Sequence, residues 1–389
     1  MASPHEIKVL NADELKPECA VVLGTRPGIV MMAPIIHEMR RRNVPHFVIH
    51  TGQHYSANMD AQFFTDLELP APEYRLNGVA ERRTHGGQTA AMLEGVEAVL
   101  LERRPCFLLV GGDANTNLAA ALAARKLHIG VGHVEAGERS YDWRMPEEHN
   151  RRIIDHIADH LFATGEPSVR NLKAEGIRGE VHLVGNPIVD ASLQFGKLAR
   201  GRSMALRRFG LEPRRYALLT THREENVDVL ENLRGELQGV SAAAQAVGLP
   251  VLFLAHPRTQ KRLCEFGLAQ WAQALPSVRV EEAVGYLDFM ALLVDSALMF
   301  TDSGGVQQEA CIHHVPCVTL RENTEWTQTL ENGANRLAGC DPERIVAAAR
   351  EALGSRTDWP VPFGDGTTAR QIVDVAESVI AASIAPAHA

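Results

Sequence analysis

Three acidic residues occupy positions from which they could move protons at a common site. Asp113 and Glu135 each follow a short apolar run typical of a buried strand, and Glu147 opens a helical stretch. The carboxyl ends of parallel strands meet at one edge of a sheet, so these side chains are predicted to converge. Crowded carboxyls in a partly desolvated site differ in pKa, which lets one act as a base and another as an acid.

The structural alternatives differ in strength for the individual acids. Pro146 followed by Glu147 and Glu148 is ordinary helix-start chemistry, because acids near a helix N-terminus interact favourably with its dipole. Glu135 lies beside a buried strand and close to glycines, and this position has no such simple structural explanation.

The segment 301–305, Thr-Asp-Ser-Gly-Gly, leaves an apolar run and enters a helix. Gly304 and Gly305 allow backbone N–H groups to approach an anion, Ser303 adds a hydroxyl, and the helix N-terminus adds partial positive charge. Glu309 in the same helix could accept hydrogen bonds from a vicinal diol such as that of ribose. A glycine-rich N-cap, with Ser303 or Asp302 as the capping residue, is an equally good explanation of this segment alone.

Arg26 follows the first strand in the segment 24–28, Gly-Thr-Arg-Pro-Gly. A guanidinium at a strand end can hold phosphate oxygens through two hydrogen bonds, although an exposed loop arginine would look the same. One phosphate-type loop in each half of the chain suits a diphosphate bound in an interdomain cleft.

The histidines give weaker signals. His222 and Arg223 follow a predicted strand and could contact phosphate or sugar, or cap the next helix. His133 is interpreted as a residue that orients a loop. No set of histidines and acids has metal-site spacing, so no metal or other cofactor is predicted.

Strands and helices alternate along most of the chain, which is typical of parallel sheets covered by helices. The pattern restarts after the basic, strand-free stretch 197–215, so the predicted fold is α/β with two doubly wound, Rossmann-like domains. The first domain is predicted over 1–190 and the second over 191–365, with a helix at about 366–385 returning to the first. The predicted strands are 20–23, 46–50, 107–110, 129–134, 161–164, 181–184, 216–221, 251–255, 297–301 and 316–320.

Composition limits the class of protein. A formal net charge of −9 disfavours a nucleic-acid partner. No run of apolar residues is long enough to span a membrane and no secretory signal is recognised, so a cytoplasmic location is expected. The six cysteines form no C-x-x-C pair and are expected to be reduced, mostly buried thiols.

These motifs resemble the UDP-N-acetylglucosamine 2-epimerase family, whose two Rossmann-like domains face each other across a cleft as in GT-B glycosyltransferases. The resemblance runs from about Val21 to Ile380. Its markers occur in family order at 24–27, 51–54, 112–113, 133–137, 146–148, 222–226, 301–309, 321 and 324–325. The short spacing from Glu135 to Glu147 is similar to that of the subgroup that also acts on diacetamido UDP-sugars.

The resemblance implies an elimination of UDP across C1 and C2, followed by re-addition with C2 inverted. Asp113, Glu135 and Glu147 would carry the acid/base work. The leaving diphosphate would be stabilised by Arg26, the helix start at 303–305 and His222. Glu309 would bind ribose, and Arg321 and Glu325 would close the sugar end. A homodimer is also implied, with a UDP-sugar as the substrate.

The chain departs from the family pattern near the predicted acid/base site. Gly28 and Met31 replace the family's glutamate and lysine, and Gly111 and Ala114 flank the Gly-Asp motif in place of polar residues. Met31 removes a cation from this edge of the sheet. The contacts to the sugar are therefore expected to differ from those of the family, while the contacts to UDP are expected to be retained.

Three alternatives remain open on the sequence alone. A hydrolysing epimerase would let water intercept the intermediate and release a free N-acetylmannosamine-type sugar. A GT-B glycosyltransferase would move the sugar to an acceptor, although it would not need all three acids. A non-catalytic protein would bind the UDP-sugar without turnover.

Overall fold

The computed structural model describes residues 9–53 and 63–384. They form two compact units, one made of residues up to Ala191 together with those from Phe363, and the other of Ser192–Pro362. The chain passes from unit 1 to unit 2 within the helix Pro187–Arg202.

Unit 1 is built on a seven-stranded parallel sheet with the order β3-β2-β1-β4-β5-β6-β7. Its strands are β1 (Lys16–Leu23), β2 (His46–His50), β3 (Tyr74–Arg75), β4 (Pro105–Gly111), β5 (Gly130–Ala136), β6 (His160–Ala163) and β7 (Glu180–Leu183). A short 3-10 helix, Ala12–Glu14, precedes β1, and the α-helices are Arg26–Arg42, His85–Arg103, Asn115–Lys126, Pro146–Ile157, Glu166–Ala174 and Thr368–Ile384.

The central strands of this sheet are apolar because helices cover both of their faces. Every residue of β4 is buried. The helix Arg26–Arg42 begins directly after Thr25, which caps its N-terminus by accepting a hydrogen bond from Gly28 N.

The C-terminal helix Thr368–Ile384 belongs to unit 1. It packs on β1 and on the helix Arg26–Arg42. Arg42 ties the two helices together through ion pairs to Asp374 and Glu377, the second at 2.9 Å.

Unit 2 contains a six-stranded parallel sheet with the order β10-β9-β8-β11-β12-β13. Its strands are β8 (Ala217–Thr220), β9 (Val251–Ala255), β10 (Val278–Glu282), β11 (Leu298–Thr301), β12 (Cys317–Thr319) and β13 (Asn335–Leu337). Its helices are Ala205–Phe209, Glu224–Val227, Leu230–Val247, Pro257–Glu265, Ala269–Gln273, Tyr286–Val294, Gly304–Ile312, Thr327–Glu331 and Pro342–Gly354.

Side chains of β8 alternate between two apolar clusters, with Leu218 in one and Leu219 in the other, so this sheet is also covered on both faces. The predicted α/β class with two doubly wound sheets is therefore confirmed. The sequence missed β3, β10 and β13, which lie at the edges of the sheets and carry charged residues.

The described helices include none that is long and apolar enough to cross a membrane. Four of the six cysteines are buried, whereas Cys264 is exposed and Cys340 is partly exposed.

Candidate functional site

The Gly-Asp motif lies directly after β4, and two methionines pack against it. A Cβ on Gly111 would lie 2.6 Å from Met32 Sδ, and Met31 Cε is 3.3 Å from the Cβ positions of both Gly111 and Gly112. Gly112 also has a φ of +80°, which glycine adopts readily. The departures from the family pattern at residues 31 and 111 therefore fit each other. The buried Met31 side chain occupies space that a residue larger than glycine at position 111 would need.

Asp113 follows this turn with its side chain partly exposed. One of its carboxylate oxygens accepts a hydrogen bond from Arg151 Nη2, and its main-chain carbonyl accepts one from Asn150 at 2.8 Å. Arg151 is largely buried and also lies 3.6 Å from Glu148. The Arg151 guanidinium therefore positions the Asp113 carboxylate, a role that the sequence reasoning did not assign to Arg151.

Glu135 is held in an unusual backbone conformation at the end of β5. Its φ is +66°, and the β5–β6 register shifts between Val134 and Ala136. Burial raises the pKa of Glu135 to about 7, and the negative charges of Glu138 and Asp113 add to the effect. Asn186 opposes this shift by donating a hydrogen bond at 3.1 Å. Glu135 is thus poised to exchange a proton near neutral pH.

The structure separates the two glutamates at the start of the helix Pro146–Ile157. Glu148 is buried and accepts hydrogen bonds from Ser140 and Arg152, each at 2.9 Å, so it fixes the preceding loop. Glu147 is partly exposed and forms no ion pair within the described part of the chain. Glu147 therefore keeps a carboxyl available for chemistry, whereas Glu148 has a structural role.

His133 is fully buried beneath the Gly-Asp turn. Its Nδ1 lies 2.7 Å from an Asp155 oxygen and its Nε2 lies 3.1 Å from the Gly112 carbonyl oxygen. Both ring nitrogens of His133 are therefore held by oxygen atoms of the fold. His133 thus orients the turn that presents Asp113.

The first loop of unit 1 shows why a glycine is needed at residue 24. A Cβ there would lie 2.0 Å from Thr116 Oγ1 and 2.3 Å from Thr51 Oγ1, which are hydrogen-bonded to each other. Gln53 Oε1 accepts from the Thr116 hydroxyl at 2.8 Å. His54 lies outside the described residues. Arg26 is the exposed first residue of the following helix, where its guanidinium can reach an anion.

In unit 2 the helix Gly304–Ile312 begins with an open N-terminus. Ser303 is the N-cap residue, but its side chain makes no capping hydrogen bond, and its main-chain N–H donates to Thr301 Oγ1 at 3.0 Å. Apart from its chain neighbours and the backbone of its own helix, no atom of the described residues lies within 4 Å of the Cβ position of Gly305. Neither Ser303 nor Asp302 acts as the side-chain cap that the sequence allowed, so the N–H groups of this helix end remain available to an anion.

Asp302 is turned instead toward the end of β8. Its Oδ2 accepts hydrogen bonds from Thr221 Oγ1, His222 N and Arg223 N at 2.7–2.8 Å. His222 Nδ1 lies 3.3 Å from Asp302 Oδ1, close enough for an ion pair but not aligned as a hydrogen bond. Burial opposes ionisation of Asp302, yet these contacts keep its pKa below the usual value. Asp302 therefore fixes the loop that carries His222, whose side chain is 42% exposed.

A second carboxyl, that of Glu236, lies behind this loop and is fully buried. Its Oε2 lies 3.2 Å from Thr221 Oγ1 and 3.3 Å from Asn226 Nδ2. Burial, reinforced by the charge of Asp302, raises the pKa of Glu236 well above the usual value. The protonated carboxyl of Glu236 is thus able to donate to Thr221.

Glu309 is buried in the second turn of the Gly304–Ile312 helix. Its Oε1 accepts a hydrogen bond from the Tyr286 hydroxyl at 2.9 Å. Burial raises the pKa of Glu309 to about 7, although the Tyr286 hydrogen bond opposes the shift. Tyr286 was not singled out from the sequence because its partner is distant along the chain.

Arg321 and Glu325 form a pair beside the same helix start. The Arg321 guanidinium donates to both oxygens of Glu325, at 2.9 and 3.2 Å, and Arg223 Nη2 lies 3.9 Å from Glu325. Glu325 Oε2 also lies 3.5 Å from the Cβ position of Gly304. The Glu325 carboxylate thus occupies a place where two guanidiniums and a helix N-terminus favour negative charge.

A cavity of about 760 Å³ in unit 2 lies beside the Arg321–Glu325 pair, and both Asn226 and Arg321 line it. Its lining contains four carboxyl side chains but only two arginines, and a diphosphate would be repelled there. The residues lining the cavity are Glu225, Asn226, Leu230, Glu231, Asn232, Arg234, Gly235, Gln238, Arg321, Glu322, Asn323, Gly339, Cys340, Asp341 and Pro342. The helix start at Ser303–Gly305 is the better candidate for the phosphate end.

Comparison with known proteins agrees with these features. A family model described as UDP-N-acetylglucosamine 2-epimerase matches residues 37–377. The chain belongs to the UDP-N-acetylglucosamine 2-epimerase family. A UDP-N-acetylglucosamine 2-epimerase of Methanococcus maripaludis is 46% identical over 358 residues, covering 91% of this chain and 97% of the relative. A UDP-2,3-diacetamido-2,3-dideoxy-D-glucuronate 2-epimerase of Pseudomonas aeruginosa is 36% identical, with 91% and 97% covered.

Solved structures of family members have the same fold. The crystal structure of the Methanocaldococcus jannaschii UDP-GlcNAc 2-epimerase in complex with UDP-GlcNAc and UDP is 45% identical to this chain. Its TM-score is 0.80, with 92% of this chain and 99% of that chain covered. Both the fold class and the family resemblance predicted from the sequence are therefore confirmed.

Proposed function

We propose that this protein is a UDP-N-acetylhexosamine 2-epimerase that acts by elimination and re-addition of UDP. The observation that carries the proposal is Glu135, whose pKa is raised to about 7 beside the ion-paired carboxylate of Asp113. Inversion at C2 removes a proton from one face of the sugar and returns one to the other. Two differently held carboxyls meet that requirement.

In the elimination step the C1–O bond breaks and its electron pair leaves with UDP. The electrons of the C2–H bond form a C1=C2 double bond, and the C2 proton passes to a carboxylate of unit 1. A carboxyl then returns a proton to C2 from the opposite face, and a UDP oxygen rejoins C1. Asp113, Glu135 and Glu147 are assigned to these transfers.

The leaving diphosphate develops negative charge and is assigned to positively polarised groups. In unit 2 these are the N–H groups of the helix start at 303–305, including Gly304 and Gly305, and the imidazole of His222, which Asp302 orients. For Arg26 the phosphate contact stays a prediction of the sequence. Glu309 is assigned to the ribose hydroxyls.

Arg321 and Glu325 are assigned to the end of the ligand nearest the sugar. Because Glu325 lies at the helix start, an incoming phosphate would compete with its carboxylate for Arg321. The similarity to an epimerase of a diacetamido sugar supports a substrate range that includes modified UDP-N-acetylhexosamines. The cytoplasmic location and the homodimer stay predictions of the sequence.

Mass spectrometry of a panel of UDP-N-acetylhexosamines incubated with the protein in D₂O tests this function. We expect one deuterium at C2 and a mixture of the two C2 epimers, with UDP still attached. Free reducing sugar in amounts equal to UDP would establish the hydrolysing alternative instead. Transfer of sugar to an acceptor without deuterium at C2 would contradict epimerisation, as would tight UDP binding without exchange on any member of the panel.

A further inference from the structure

The outermost strand β7 and its neighbour β6 in the unit 1 sheet bring together three side chains with metal-binding chemistry. His160 and Glu180 are the first residues of β6 and β7 and are paired in register, and His182 lies two residues along β7. Residues two apart in a strand project from the same face, so Glu180 and His182 share a face. Within the described part of the chain, these three form the one group of His, Cys, Asp or Glu side chains with ligand atoms within 4.8 Å of each other.

The separations between the ligand atoms suit a common ion. His160 Nδ1 lies 3.1 Å from His182 Nε2 and 3.7 Å from Glu180 Oε2, and His182 Nε2 lies 3.8 Å from Glu180 Oε1. Metal–ligand bonds of about 2.0–2.2 Å in a tetrahedral site put neighbouring ligand atoms about 3.3–3.6 Å apart. The observed distances lie on both sides of this range. The exposed Glu180 carboxylate can rotate to shorten its distances to the two imidazole nitrogens.

Aromatic packing holds the two imidazole rings in this arrangement. His182 is stacked on Phe162 with ring centroids 5.3 Å apart, and His160 is stacked on His182 at 5.4 Å. The edge of Phe107 meets His160 at 5.7 Å. Because these contacts restrict the rings before any ion arrives, less conformational entropy is lost on binding.

The types of the three side chains also favour a metal ion. Neutral imidazole and carboxylate are the forms that bind metal ions. Two histidines and one carboxylate with an open fourth position match the ligand preference of Zn²⁺ and of neighbouring transition metals.

We propose that His160, Glu180 and His182 bind a divalent transition-metal ion of the zinc class. Two of the ligands, His160 and Glu180, begin β6 and β7, whereas Asp113 follows β4 and Glu135 lies at the carboxyl end of β5. The proposed metal site is thus at the opposite edge of the sheet from the predicted acid/base site. A bound ion would join the outermost strand, β7, to its neighbour β6. Sequence spacing gave no signal for it, because strand pairing alone brings residues from separate strands together.

The test titrates ZnCl₂ into full-length protein that has been stripped with a chelator, using calorimetry, and records the visible spectrum with Co²⁺. We expect one ion per chain, an intense tetrahedral-type Co²⁺ spectrum and a thermal midpoint that rises with Zn²⁺ concentration. His182→Gln should abolish stoichiometric binding. Glu180→Gln should weaken it about tenfold or more, since even outer-shell changes cost that much at metal sites.

Glu180 is 67% exposed, so Glu180→Gln leaves packing intact and separates loss of binding from loss of folding. His156→Gln, at an exposed histidine of the preceding helix, is the matched control and should bind one ion as the unaltered protein does. The proposal is overturned if the stripped protein binds no ion at one equivalent. It is equally overturned if His182→Gln and Glu180→Gln bind Zn²⁺ and Co²⁺ as the His156→Gln control does.

Discussion

Glu236 and Asp302 share the hydroxyl of Thr221, which lies 3.2 Å from the first carboxyl and 2.8 Å from the second. A hydroxyl donates only one hydrogen bond, so Thr221 can donate to one of these carboxyls and must accept from the other. Asp302 is ionised and can only accept. Glu236 must therefore be protonated, and the hydrogen bonds run from Glu236 through Thr221 to Asp302, which orients the His222 loop.

This direction of donation predicts different costs for two substitutions of Glu236. Glu236→Gln keeps a neutral donor, whereas Glu236→Ala removes one hydrogen-bond partner from each of Thr221 and Asn226 and creates a cavity. We expect Glu236→Ala to lower the free energy of unfolding by about 2–4 kcal/mol and Glu236→Gln by clearly less. Urea unfolding at pH 7 measures both, and equal losses would contradict a protonated Glu236.

The same pair predicts a pH dependence of stability. The folded pKa of Glu236 is raised, so its contribution is fully present below the unfolded pKa and is lost as pH rises toward the folded value. Glu236→Gln has no proton to lose. Relative to the unaltered protein, its free energy of unfolding should rise by up to about 1.4 kcal/mol per pH unit above pH 5. A pH-independent difference would show that Glu236 is ionised in the folded protein.

Glu135 predicts the pH dependence of the reaction. Since its pKa is about 7 without substrate, kcat/KM should change with an inflection near pH 7 as this carboxyl gains or loses its proton. Glu135→Gln should lower kcat by about 10²–10⁴-fold and remove the inflection in kcat/KM. The measurement is kcat and kcat/KM over pH 5.5–8.5 with a UDP-N-acetylhexosamine that is turned over.

UDP binding provides the control for Glu135→Gln. The nucleotide is assigned chiefly to unit 2, so the Kd for UDP should stay within about threefold of the unaltered value, a difference of well under 1.4 kcal/mol. A large loss of UDP affinity would instead assign Glu135 to ligand binding. An unchanged kcat would remove Glu135 from the acid/base set.

The sequence predicted the features that depend on local pattern. Strands buried on both faces were recognised from their apolar runs, whereas the edge strands β3, β10 and β13 were missed because polar residues interrupt them. The motif residues Asp113, Glu135 and Ser303 were singled out because each follows a predicted strand. Arg151, the partner of Asp113, and Glu236, the partner of Thr221, were missed because each is an ordinary helix residue until the fold brings it next to a carboxylate or a hydroxyl.

The packing of Met32 against Gly111 predicts a coupled pair of substitutions. A Cβ on Gly111 would lie 2.6 Å from Met32 Sδ, so Gly111→Ala should destabilise the fold by about 1–3 kcal/mol through overpacking. Met32→Ala alone leaves a cavity and should cost about 2–5 kcal/mol. In a double-mutant cycle the combined loss should fall short of the sum by at least about 0.5 kcal/mol. Strict additivity would show that the methionine moves aside without cost.

Glu309 predicts that the affinity for UDP depends on pH. Ribose hydroxyls donate to an ionised carboxylate, whereas the pKa of free Glu309 is raised to about 7, so acid conditions leave it protonated and unable to accept both bonds. The affinity for UDP should therefore increase by about tenfold from pH 6 to pH 8, as Glu309 releases one proton. Glu309→Gln should bind more weakly at pH 8 and lose this dependence, while Tyr286→Phe should keep it. Calorimetry with UDP measures all three, and a pH dependence retained in Glu309→Gln would place the titrating group elsewhere.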